Sequence, residues 1–167
     1  MSTKMIRNVL VAALALMGLF AGEAFAQAAS ATVTVSAVVP KACRFYTAST
    51  TMTIAHGGGL IDPSAAGNAT GSATLNYRCQ ATVSPEFDID TSGTYASPKT
   101  ATVNLAGTAT NLAADITVTA TGGAGTGLGA GQDKAATIGG VITPANFSVA
   151  APDTYSKVVT IGIQAIP

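Results

Sequence analysis

An all-β fold, an antiparallel sandwich or barrel, is what this chain of 167 residues predicts. Three observations carry that expectation. No long stretch keeps a 3.6-residue apolar period. Several short runs rich in Val, Thr and Ile alternate apolar and polar positions. Gly, Pro, Asn and Asp separate those runs, as turns separate strands.

The first 26 residues, "MSTKMIRNVLVAALALMGLFAGEAFA", are set apart from the fold. A basic start at Lys4 and Arg7, an apolar run from Val9 to about Ala21 and the small-x-small site Ala24-Phe25-Ala26 make a secretory signal peptide, cleaved after Ala26. The apolar run is shorter than the roughly 20 residues a spanning helix needs. No second such run follows, so no lipid-embedded segment is expected after cleavage. Residues 27–167 then form one domain by length, preceded by a short extension.

The extension, residues 27–40, contains "ASATVTVSAVVP". Ala31, Val33, Val35, Ala37 and Val39 fall on one face; Thr32, Thr34 and Ser36 fall on the other, with Val38 breaking the pattern. This is a strand with one apolar face, and that face needs something to cover it.

Two cysteines remain after cleavage, Cys43 and Cys79. Export puts them in an oxidising compartment, so a disulfide is expected. Closing a loop of that length is worth about 4 kcal/mol in the chain-entropy account. A metal site needs more ligands than these two and the single His56. A catalytic thiol needs a histidine base beside it.

The body then reads as "STTMTIA", "GSATLNYRC", "EFDIDTS", "KTATVNL", "ADITVTAT", "VITPANFSV" and "TYSKVVTIGIQAI", each a candidate strand. In "GSATLNYRC" Ala73, Leu75, Tyr77 and Cys79 share a face, which points Cys79 at the apolar side. In the closing run Val159, Ile161, Ile163 and Ala165 share a face, with Tyr155 and Lys157 in phase. Pro167 follows directly, and nothing continues the sheet. "HGGGLIDPSAAGNATG" and "TGGAGTGLGAGQDKAATIGG" are glycine-rich connections. The second lacks the Gly-Lys-Ser/Thr ending of a phosphate loop, and residues 121–140 are expected to be exposed and mobile.

Candidate chemistry is sparse. His56 has no evident serine or cysteine partner. Glu86, Asp88 and Asp90 alternate, as a carboxylate pair or a calcium site would require. The favoured reading is the solvated face of a strand that buries Phe87 and Ile89. Asn68-Ala69-Thr70 and Asn146-Phe147-Ser148 match the glycosylation sequon, a short pattern. No constellation meets a catalytic checklist, so no enzyme activity, cofactor or metal is expected. Residues 27–167 hold six Lys and Arg against seven Asp and Glu, leaving no electrostatic reason to bind nucleic acid.

The signal peptide, the Thr/Val segment, "CRFYTASTTMTI", "GSATLNYRC", a glycine-rich middle and the closing "APDTYSKVVTIGIQAI" together resemble the spore coat protein U domain family, which includes subunits of archaic chaperone–usher pili. The resemblance runs over residues 27–167. Asp153 and Lys157 stand where that family has glycine and aspartate.

The resemblance implies an immunoglobulin-like β-sandwich, residues 41–167, that lacks its last strand. It implies a periplasmic chaperone, an outer-membrane usher and identical subunits joined head to tail as partners, and a place in a pilus at the cell surface. Ala31, Val33, Val35, Ala37 and Val39 are then a donor strand, and Val159, Ile161, Ile163 and Ala165 the edge that receives it. The length favours a shaft subunit over a tip adhesin. The rival classes are a secreted binding module, poorly served by the absence of tryptophan, and a coat protein that assembles without an usher.

Overall fold

The structure, a computed structural model, describes residues 34–57 and 59–166. The signal peptide, its cleavage site, Ala31 and Val33 lie outside the described residues. The chain divides into two units after Val38. Of the first unit, residues 34–38 are described; they are exposed and form no strand.

The second unit is nearly all β. Its elements are β1 (Cys43–Phe45), β2 (Ala69–Cys79), β3 (Pro85–Ile89), β4 (Lys99–Ala106), β5 (Asn111–Ala120), β6 (Lys134–Ile142), a one-turn helix α1 (Pro144–Phe147) and β7 (Ile161–Ala165). Five strands form an antiparallel sheet in the order β1-β2-β6-β5-β4, and β3 pairs with β7 in a second sheet.

Alternation explains the strands. β2 buries Leu75, Tyr77 and Cys79 and exposes Thr74 and Asn76 between them. β5 buries Leu112, Ala114, Ile116 and Val118 and turns Asp115 outward. Phe87 and Ile89 of β3 close onto the same core, Phe87 meeting Tyr77 edge-on at 6.1 Å. Each fully buried large side chain here removes about 1.5–3 kcal/mol worth of apolar surface from water.

Five expectations need correction. Residues 134–140, read as part of a mobile connection, belong to β6, which lies between β2 and β5 in the sheet. Its alanines and glycines look like loop, but between two flanking strands their backbone bonds decide. Residues 121–133 are tied down as well. Gly125 donates to the Val83 carbonyl at 2.8 Å and Gly127 to that of Cys79 at 3.0 Å. A Cβ on Gly125 would stand 2.2 Å from the Cys79 carbonyl oxygen, so glycine is needed there for close approach. "VITPANFSV" breaks after Ile142 because Pro144 cannot extend a ladder and instead opens α1, which buries Phe147.

The fourth correction concerns Asp88, which does not lie on a solvated face: only 2% of its surface is exposed. The "STTMTIA" run is likewise no strand, and only Ala55 at its end bridges to Thr70.

The disulfide forms. Cys43 and Cys79 are register partners of β1 and β2 and are bonded. Beside it Arg78 makes a two-point ion pair with Asp133, 2.6 and 3.2 Å, and lies over the Tyr46 ring at 3.7 Å. Tyr46 in turn donates to the Leu128 carbonyl at 3.2 Å. The Arg78 guanidinium, by its hydrogen bond, holds the Asp133 carboxyl below the usual range. Tyr77, pushed up by burial, donates to the Gly123 carbonyl at 2.5 Å. The glycine-rich segment is therefore pinned to the disulfide end of β2 at several points.

Two outcomes follow from this packing. Replacing Cys43 and Cys79 together by serine should lower unfolding free energy by about 4 kcal/mol, read by denaturant titration. Tyr77→Phe, which removes only the hydroxyl, should cost about 1 kcal/mol and raise amide exchange at residues 123–127.

Candidate functional site

A cleft of about 1160 Å³ runs along one side of the core, and its lining includes the buried residues Leu75, Ile116, Ile138, Ile142 and Phe147. These are residues of β2, β5, β6 and α1, the same side chains that form the core. One wall is residues 47–54 and the other is residues 154–161.

The walls have unusual backbones. Residues 48–54 and 157–159 make no backbone hydrogen bond to any described residue. At its start the first wall is held by Tyr46 and Thr47 donating to the Asn76 carbonyl, and at its end by Ala55 pairing with Thr70. Between those points it is anchored by side chains. Met52 and Ile54 reach over β6 to Gly140, where a Cβ would come within 2.7 and 2.6 Å of their tips. Glycine at 140 is thus the recess that seats this wall.

The second wall continues into β7. Ser156 pairs with Ala106 of β4, and the Thr160 carbonyl accepts from Asp90. Even-numbered residues therefore turn their backbone groups toward β4 and β3. On the β3–β7 ladder Phe87 spends its own groups on Ala96, so its pairing with Ile163 is of the non-hydrogen-bonded kind. In an extended chain the odd residues, 157, 159 and 161, then turn theirs toward the cleft. Val159 and Ile161 line it. Ile163 and Ala165 continue the same strand, half-buried, outside the cleft lining.

Charged groups fix the base of this wall. Lys157 pairs with Asp90 at 2.5 Å, and that bond holds the Asp90 carboxyl below its ordinary range. Asp88 accepts from the Ser92 hydroxyl, the Ile89 amide at 2.7 Å and the Gly93 amide at 3.0 Å; the Ser92 bond leads in lowering its pKa. These bonds hold a turn in which Asp90, Thr91 and Gly93 have positive φ. Glu86 accepts from Gln164 at 3.0 Å across β3 and β7. The alternating trio thus divides among three structural tasks. Among the described residues no three His, Cys, Asp or Glu side chains group as metal ligands.

His56 is placed structurally too. Its Nδ1 accepts from the Asp62 amide at 3.0 Å, so Nε2 carries the proton and donates to the Gly67 carbonyl at 2.9 Å. The ring meets Phe147 edge-on at 5.0 Å and braces the loop that carries Leu60 and Ile61 to the cleft. Asn146 of the second sequon donates to the Ala113 carbonyl at 3.1 Å.

The donor candidates Val35, Ala37 and Val39 are exposed and unpaired within the described residues, Val35 at 87%. The second wall was legible as the closing alternation, through Val159 and Ile161. The facing wall, residues 47–54, was not; only its apolar Met52 and Ile54 hinted that it bordered a core.

No family model matches the chain, and neither a curated protein nor a solved structure matches it.

Gly140→Val should evict Met52 and Ile54 from their seat, lowering stability by about 1–3 kcal/mol in thermal or denaturant melts. Acid should act through the β3 turn. Carboxyls lowered in the folded state stabilise it fully above about pH 4, the unfolded value, and lose that contribution as pH falls through the lowered folded value. Asp88→Asn should therefore flatten the acid limb of a stability profile below about pH 4, besides lowering stability at neutral pH.

Proposed function

We propose that this chain is a structural subunit of a surface filament, an immunoglobulin-like sandwich short of one strand. In this reading it polymerises when residues 31–39 of one copy fill the cleft of the next, a chaperone filling it beforehand and an usher guiding export. The subunit is of the shaft kind and performs no chemistry. The observation that carries the reading is the cleft itself: an apolar core floor between two walls whose backbone groups are unspent. A strand laid there supplies both missing terms, main-chain bonds to the walls and alternate side chains to the floor.

Nine residues span roughly 30 Å when extended. Val33, Val35 and Val39 are each worth about 1.5–3 kcal/mol when buried, and each main-chain bond about 1 kcal/mol. Against this stands an association cost of about 4–15 kcal/mol, of the same order, so the joint depends on all the terms being made together. A head-to-tail contact of this kind does not close on itself, so copies add without limit.

The test is Val35→Asp in cells that export the chain with its chaperone. A buried carboxylate costs several kcal/mol, so heat-resistant polymers should vanish on gels while the chaperone-bound subunit stays folded. Polymers that persist unchanged would refute the donor role. A variant that cannot fold even with chaperone would make residues 31–39 an ordinary core strand.

A further inference from the structure

The two strands brought together by that reading each carry one valine on the wrong face. On the donor, Thr32, Thr34 and Ser36 make the outer face polar, and Val38 interrupts it at 92% exposure. On the second wall, Ser156 and Thr160 make the outer face polar, and Val158 interrupts it at 91% exposure. Nothing within the described residues covers either one.

Resting on the reading proposed above, we infer that these two valines set the register of assembly: Val38 of one copy lies directly opposite Val158 of the next, in an antiparallel pair. Backbone direction favours that pair. Residue 158 has the parity of Ser156 and Thr160, whose groups turn away from the cleft. A donor residue opposite it therefore forms a non-hydrogen-bonded pair, the kind with the closest side chains. β-branched side chains directly opposite one another stabilise such a pair.

The rest of the alignment agrees in kind except at Val39, which meets Lys157, whose ammonium is drawn off to Asp90 at 2.5 Å. Ser36 meets Thr160 on the outer face. On the inner face Val35 meets Ile161 and Ala37 meets Val159, both cleft-lining residues. A parallel strand with the same valine pair would set Lys41, in phase with the apolar face, opposite Ile161. The antiparallel one sets Lys41 opposite Tyr155, whose hydroxyl already sits among the polar partners Thr110 and Ala151. A slip of two residues leaves both valines beside hydroxyls and water.

Paired cysteines read the register directly. Directly opposed, non-bonded positions lie about 4.5 Å apart at Cα, whereas diagonal neighbours lie about 7–8 Å apart, too far for a disulfide. Full-length chain carrying Val38→Cys and Val158→Cys should form polymers whose subunits stay linked in non-reducing denaturant and separate on reduction. Ser36→Cys with Thr160→Cys should do the same. Ser36→Cys with Val158→Cys, and Val38→Cys with Ser156→Cys, should polymerise without linking. Peptide mass mapping of each product should show Cys43 still joined to Cys79.

Linking at the slipped pairs, or between Ser36→Cys and Ser156→Cys, overturns the register while leaving strand exchange intact. A link confined to single chains overturns it in favour of self-filling. If the unmodified chain forms no heat-resistant polymer at all, the functional reading itself falls and the register with it. A charge exchange gives a second measurement: Val38→Asp should weaken polymerisation, and adding Val158→Lys should restore it. No restoration counts against the pairing.

Discussion

The constraint on which this molecule turns is a cleft along one side of its core, bordered by two stretches of backbone without hydrogen-bond partners among the described residues. Leu75, Ile116, Ile138 and Ile142 pack from the five-stranded sheet toward β3, yet they also floor an open cleft. An apolar lining and a backbone without partners coincide at this cleft. Two stretches, residues 48–54 and 157–159, forgo the bonds that a neighbouring strand would supply. In the reading proposed above, an extended chain matches such a site, because a strand answers side chains and backbone at once.

Around that opening the body is braced by local means. The Cys43–Cys79 bond ties β1 to β2, and Arg78 joins the same end to Asp133 and Tyr46. The glycine-rich segment, with Gly125 against the Cys79 carbonyl, thereby becomes part of the packed structure. At the other wall the Asp88 turn and the Lys157–Asp90 pair hold the approach to β7. His56 spans its loop with both ring nitrogens and leans on Phe147 beneath the cleft. Residues that read as chemical candidates are thus spent on positioning the walls. A polar side chain near a cleft is easily taken for catalysis, and only its partners tell the difference.

What the sequence by itself determined is whatever depends on nearest neighbours along the chain. The alternation of "GSATLNYRC", "KTATVNL" and "ADITVTAT" specified β2, β4 and β5, because a period of two admits one burial pattern, and "EFDIDTS" located β3 without its burial. The even cysteine count anticipated the disulfide, and the closing alternation marked Val159 and Ile161 as an apolar wall. Tertiary structure decided the rest, where local signals were weak or misleading. β6 is built from "KAATIGGVI", whose small residues carry little strand preference; two flanking ladders made it a strand. "STTMTIA" has strand composition but, apart from Ala55, no backbone partner among the described residues, so it became a wall with free backbone groups. Asp88 alternates like a surface residue but is buried, because a turn several residues later brings Ser92 and Gly93 to it. Pairing partners and the cleft between them arise from contacts distant in sequence, and a local pattern does not carry that information.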